Sequence, residues 1–238
     1  MEGEYFGDVI SDYIKNNYVK IINYRGKKKI QLSTIRDCYK KNVMLFDWFI
    51  IIDLDEYIYL KNYKNIKNYL SNKRFKYCQV INLIQLFYTD NDLLYYDNRT
   101  LQERFPIKEP KARGKKTGGI SPIKSSVRGK IQKLYIESIH FGTRKYNVCD
   151  GFGNKKKYVG IYTNKTDFKY YYFIHYFSKS TEEFINKIKR GDAIYNMKIL
   201  GNIRKYFWIN RITIEKLNMF EKRLKINLSK YRKKLKKI

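Results

Sequence analysis

The stretch that most constrains the fold runs from Asp47 to Tyr59, Asp-Trp-Phe-Ile-Ile-Ile-Asp-Leu-Asp-Glu-Tyr-Ile-Tyr. Trp48 to Ile52 is an unbroken aromatic and β-branched run, which reads as a short strand buried on both faces. Three carboxylates, Asp53, Asp55 and Glu56, follow at once and mark where that strand leaves the core. Residues i and i+2 of an extended segment project to the same side, so Asp53 and Asp55 aim at one point. Two carboxylates held together repel unless a cation or a proton lies between them. Hard divalent ions such as Mg²⁺ or Mn²⁺ take oxygen ligands of this kind, and in open α/β sheets ligands bind beyond the carboxyl ends of strands. The stretch therefore predicts a divalent-metal site at a strand end. The plainer alternative is a polar turn leading into a helix cap.

A chain of 238 residues is long enough for one sizeable core. Its hydrophobic fraction of 43% and aromatic fraction of 17% place it among folded domains. No apolar run approaches the ~20 residues of a membrane-spanning helix, and the acidic opening Met1-Glu2-Gly3-Glu4 carries no apolar signal region. Cys38, Cys78 and Cys149 are far apart with no Cys-x-x-Cys pair, so free thiols in a reducing cytosol are expected. The net charge of +29, from 51 Lys+Arg against 22 Asp+Glu, points to a polyanionic partner: nucleic acid, an anionic membrane face or a phosphorylated substrate. Lys is abundant together with Ile, Asn and Tyr, all with A/T-rich codons, and the charge is spread along the chain.

Periodicity gives the element order. Tyr5 to Asn16 has helical apolar spacing, Val19 to Tyr24 reads as a strand, and Gln31 to Lys41 reads as a second helix. The strand Asp47 to Asp53 follows, then a short helix over Asn62 to Leu70 and a strand over Gln79 to Tyr88. Strands alternating with helices predict βαβ units and a largely parallel sheet. All three prolines, Pro106, Pro110 and Pro122, fall between Phe105 and Lys130 with four glycines and many Lys/Arg, which reads as a long basic loop. Leu134 to Gly142 and Asp167 to Phe177 read as strands carrying His140 and His175, with a turn at Cys149 to Gly153 between them. Ser180-Thr181-Glu182-Glu183 is a capping box opening a helix that stops at Gly191. Ile214 to Ile238 reads as one basic amphipathic helix with Leu217, Phe220, Leu224, Leu228, Tyr231 and Leu235 on its apolar face. Such a helix either lies on a membrane surface or packs on its own domain.

Several ordered blocks resemble glycosyltransferase family 92 and its bacterial relatives. They are Cys38 through Asp47-Trp48 to Asp53-Leu54-Asp55-Glu56-Tyr57; Tyr96-Asp97-Asn98-Arg99 leading to Glu103-Arg104-Phe105; and Lys124-Ser125-Ser126-Val127-Arg128 with the later His140. The most distinctive is His175-Tyr176-Phe177-Ser178-Lys179-Ser180 followed by Glu182-Glu183-Phe184, Lys187 and Arg190-Gly191. The resemblance spans about Tyr5 to Gly191. It implies an α/β fold of GT-A type, a mixed sheet flanked by helices that presents Asp-x-Asp to a divalent metal (Mn²⁺ or Mg²⁺). That metal holds the diphosphate of a nucleotide-sugar donor. Family members are inverting, and several use UDP-galactose. Carried over, Asp53 and Asp55 are the metal pair, with Asp55 preferred as direct ligand. His175 is a candidate additional ligand or diphosphate contact, and Arg128 and Lys179 are candidates for phosphate contact. The matched region begins after the family's first strand–helix–strand, so about 30 residues, one βαβ unit, are expected to be absent at the N-terminus.

The resemblance thus divides the chain into a domain over residues 1–212, incomplete at its N-terminus, and a basic C-terminal helix over 213–238. An inverting transfer needs one general base for the acceptor hydroxyl, and Asp90, nearest the end of the Gln79–Tyr88 strand, is the preferred candidate over Asp92 and Glu103. The expected acceptor is a glycan or glycolipid, and the expected location is cytoplasmic, peripheral at the anionic inner membrane face. Three other readings stay open. One is a basic nucleic-acid-binding protein, although no binding module is recognisable. The others are a metal-dependent nuclease using Asp53, Asp55 and Glu56, and an inactive remnant of a glycosyltransferase.

Overall fold

The structure is a computed structural model and describes residues 7–24, 26–27, 30–108, 121–131, 136, 146–156, 162–163, 169–191 and 199–235. Its centre is strand β3 (Val80–Phe87), buried along its whole length except at Ile84. Around it lie β1 (Trp48–Ile50), β2 (Glu56–Leu60), β4 (Ser121–Arg128), β5 (Val148–Asp150), β6 (Tyr162–Thr163) and β7 (Tyr171–His175). The sheet order is β1-β4-β3-β7-β2. One edge of β3 takes β4; the other is shared by β5 along Val80–Asn82 and β7 along Ile84–Phe87.

The sheet is mixed, not largely parallel. β1–β4, β3–β4, β2–β7 and β4–β6 pair antiparallel, while β3–β5 and β3–β7 are parallel. Two strands missing from the sequence reading account for this. Glu56–Leu60 forms β2, and Ser121–Arg128, read as part of a long basic loop, forms β4 between β1 and β3. Val19 to Tyr24 forms no strand, and residues 109–120 and His140 lie outside the described residues. The Trp48–Ile52 run is only half-buried and ladders over three residues, because β1 stands at one end of the strand order.

Helices and turns cover both faces. Successive residues of β3 alternate between them, as the period of a strand requires. Val80 joins Tyr39, Val43, Ile123 and Val127 under α2 (Gln31–Asn42). Ile81 and Leu83 join Tyr69, Phe75 and Phe173 under α3 (Ile66–Leu70) on the opposite face. A short α1 (Ser11–Lys15) precedes α2, and the one-turn α4 (Leu101–Arg104) is closed by a Thr100/Glu103 capping box.

A third cluster holds the C-terminal helices α5 (Thr181–Arg190), α6 (Ile199–Ile209), α7 (Ile214–Leu224) and α8 (Ser229–Leu235). The predicted capping box opens α5: Ser180 accepts from the Glu183 N–H while the Glu183 side chain takes the Ser180 N–H. Gly191 ends that helix at φ +91°, a conformation that disfavours any side chain. The expected single C-terminal helix is two, broken where Lys225 adopts φ +51°. Its apolar stripe is spent internally: Leu217, Phe220 and Leu228 are buried against Phe184, Ile185 and Tyr206. Residues 214–235 are therefore part of the domain's own core. Among the described residues, no helix is long and apolar enough to cross a membrane.

The free-thiol expectation is corrected for two cysteines. Cys78 and Cys149 form a buried disulfide across 71 residues, and Cys38 is free and exposed. Linear spacing carried no hint of it, because the pair meets only through the parallel register that sets Ile81 opposite Cys149.

Candidate functional site

The acidic turn connects β1 to β2. The Glu56 N–H donates to the Asp53 carbonyl at 3.0 Å, and the Asp53 N–H donates to Glu56 Oε2 at 3.0 Å, so side chain and backbone fix the turn together. β2 then pairs antiparallel with β7 in the register Glu56↔His175, and the Tyr176 N–H donates to the Asp55 carbonyl at 3.0 Å. This register brings the histidine of one motif block to the acids of another, over a hundred residues away in sequence. His175 Nε2 lies 3.7 Å from Asp55 Oδ1, and its Nδ1 lies 3.6 Å from Glu56 Oε1. The imidazole stacks on Phe87, with ring centroids 5.0 Å apart.

Two lysines close on Asp55 from the far side. Lys179, held at φ +52° just before the α5 cap, places Nζ 3.8 Å from Asp55 Oδ2, and Lys187 on α5 places its own 3.9 Å from the same oxygen. Lys187 also sits 4.6 Å over the Phe177 ring. Burial pushes its ammonium below the ordinary lysine range, with Asp55 opposing. One carboxylate thus faces two ammonium groups, a local excess of positive charge that favours a second anion.

Asp53 and Glu56 are engaged differently. The ammonium of Lys124, a fully buried residue of β4, lies 2.8 Å from Asp53 Oδ2 and 2.8 Å from Glu56 Oε2. The remaining oxygens accept amide hydrogens, Asp53 Oδ1 from Gln31 at 3.2 Å and Glu56 Oε1 from Gln85 at 2.8 Å. Burial pushes the Glu56 carboxyl up, and the charge of Lys124 pulls it back. Beside Asp53 a cavity of about 790 Å³ runs between α2 and β1, lined among others by Tyr24, Gln31, Phe49, Ile51 and Arg190.

The site residues expected from sequence therefore separate. Asp55, His175 and Lys179 come together. Asp53 is adjacent, but both its oxygens are occupied. Arg128 lies four residues along β4 from Lys124, about 13 Å at the rise of a strand. Its guanidinium donates to the Phe75 and Cys78 carbonyls and covers Trp48, with 4.3 Å to the ring centroid. It pins the start of β3 and takes no part in this cluster. Asp90 is 1% exposed. One of its oxygens accepts from Tyr206, both accept from Lys216 at 2.8 and 3.0 Å, and its N–H donates to Asn210 at 2.7 Å. A carboxylate so enclosed has no lone pair to offer an acceptor hydroxyl, which makes Asp90 an anchor of the helical layer. Lys124 and Lys187 were quoted in the motif blocks without a role. For Lys124 the only available signal was a lysine between Ile123 and two serines, in a segment lacking any apolar run.

Among the described residues, no group of three or more His, Cys, Asp or Glu side chains is disposed around a single ion. Asp55 and His175 alone offer two donors 3.7 Å apart. With bonds of ~2.1 Å, donors on one octahedral ion stand about 3.0 Å apart when adjacent and about 4.2 Å when opposite. The observed spacing matches neither, so the pair would have to shift by about 0.5–0.7 Å to share an octahedral ion. No family model matches the chain, and no curated protein matches it.

Proposed function

We propose that the chain is a metal-dependent glycosyltransferase that moves a hexose, such as galactose, from a nucleotide-sugar donor to a glycan or glycolipid acceptor with inversion. The observation that carries this reading is the convergence on Asp55 of three side chains from the stretch 175–187. His175, Lys179 and Lys187 all stand 3.7–3.9 Å from its carboxylate oxygens, and the cavity of about 790 Å³ is lined by Asp53 of the same turn. Asp55 and His175 would hold the divalent ion. When bound, that ion stabilises negative charge developing on the leaving diphosphate.

The chain's own residues supply the rest. Lys179 and Lys187 turn from Asp55 to the phosphate oxygens, where fixed positive charge in a partly dry site counts for more than in water. The Phe177 and Phe87 rings exclude water beneath them. Tyr24, Phe49 and Ile51 give the cavity flat and apolar walls for a nucleoside, with Gln31 as a polar contact. Lys222, Lys225, Lys230 and Lys233 are exposed on α7, α8 and the segment between them, a basic surface suited to an anionic membrane face that displays lipid-linked acceptors.

The test is release of UDP from UDP-sugars with Mn²⁺ and with EDTA, in wild type, Asp55→Asn and His175→Ala. The expected result is metal-dependent turnover that Asp55→Asn lowers by about 10²-fold or more. Turnover indifferent to both metal and Asp55→Asn, or none with any nucleotide sugar, overturns the reading.

A further inference from the structure

The ammonium of Lys124 occupies the place that an Asp-x-Asp-Glu turn would reserve for a metal. It donates at 2.8 Å to one oxygen of Asp53 and at 2.8 Å to one oxygen of Glu56. The other oxygen of each acid is taken by a glutamine amide, from Gln31 and Gln85. The stem of Lys124 runs through the sheet from β4, where its backbone pairs with Leu83 of β3, and none of the residue reaches solvent. Glu56 is 4% exposed and Gln85, which donates to it, is buried as well, so this is a built polar network.

We infer that Lys124 is a resident cation that closes Asp53 and Glu56 to divalent metal, leaving Asp55, which faces His175, Lys179 and Lys187, as the one carboxylate of the turn that it does not engage. Lys124 is a positioning residue. It holds Asp53 and Glu56 in the hydrogen-bonded turn that orients Asp55 toward His175, and touches neither donor nor acceptor. Two positive charges cannot share the space between the same two oxygens: an ion bonded at ~2.1 Å to both would stand where the ammonium stands. The inference concerns the acids alone and holds whether or not the chain transfers sugars.

The experiment compares thermal melting with 1 mM MnCl₂ and with EDTA in wild type, Lys124→Ala and the Lys124→Ala/Asp53→Asn double variant. Removing the ammonium leaves two facing carboxylates without a cation, so Lys124→Ala is expected to melt lower than wild type in EDTA. Mn²⁺ is then expected to raise its melting temperature by about 5 °C, as a ligand at roughly 100 times its Kd would. The double variant loses this rescue. A merely structural lysine predicts the destabilisation without the Mn²⁺ rescue, and that result overturns the inference.

If Lys124→Ala does not fold in either buffer, Mn²⁺ titrations followed by electron paramagnetic resonance on Asp53→Asn and Asp55→Asn decide. Affinity in Asp53→Asn within about twofold of wild type supports a closed Asp53, and a tenfold loss overturns it. Unchanged affinity in Asp55→Asn counts against the metal reading proposed above but leaves Lys124 as the resident cation.

Discussion

Lys216 shows how much of this molecule is decided by single buried charges. It is fully buried on α7, and its ammonium meets Asp90 Oδ2 at 2.8 Å, Asp92 Oδ1 at 2.6 Å and the Arg211 carbonyl at 3.0 Å. Burial pushes the Asp90 carboxyl up, with Lys216 opposing, and burial with Asp90 nearby pushes the Tyr206 hydroxyl well above its ordinary range. The group ties the loop after β3 to α6 and α7. Lys216→Met is expected to destabilise the fold by about 3–5 kcal/mol in urea denaturation, because it strands a buried carboxylate. Adding Asp90→Asn should recover much of that loss. A loss under 1 kcal/mol in the single variant would place the ion pair outside the folded core in solution. Asp90 was legible as an acid at a strand end, which is where catalytic acids are sought. Its partners Lys216 and Tyr206 come from more than a hundred residues away, so its enclosure was not legible.

Elements were legible where local chemistry alone sets them. The Ser180 capping box, the Gly191 stop, the Gln31 helix and the apolar β3 run all appear where the sequence puts them. β4 was not legible: Ser-Pro-Ile-Lys-Ser-Ser-Val-Arg has neither an apolar run nor a continuous alternation; its Lys124 is buried against carboxylates from the turn after β1 and its Ser125 against Asn82. The C-terminal stripe was legible as amphipathic but not as broken. Across the break, Glu221 joins the two pieces, accepting the Leu228 N–H at 2.8 Å on one oxygen and the Arg232 guanidinium on the other. The Arg232 hydrogen bond, then the Leu228 N–H, hold this carboxyl below its ordinary value of 4.5. A depressed acid contributes stability above its unfolded pKa and loses it as pH falls through the folded value. Glu221→Gln should therefore lower the melting temperature by about 1–2 °C at pH 7 and converge with wild type below pH 4.5. Parallel melting curves across that range would show that the contact adds nothing.

At the scale of the whole molecule, the Cys78–Cys149 bridge joins the start of β3 to β5 and closes a loop that contains β3, β4 and Lys124, the partner of the acidic turn. For a closed loop of this length the chain-entropy model gives about 4 kcal/mol. Cys78→Ser/Cys149→Ser, or reduction with dithiothreitol, should lower unfolding free energy by that order. An unchanged urea midpoint would mean that the two sulfurs are not bonded in solution. The sequence by itself determined the acids at Asp53 to Glu56, the helical caps and the apolar centre of the sheet, because each depends on residues within a few positions of one another. Only the tertiary structure decided that the sheet is mixed, that Cys78 meets Cys149, and that Lys124 rather than Arg128 reaches the acids. Those outcomes follow from strand register, and register is set by pairings between segments whose distance along the chain says nothing about their distance in space.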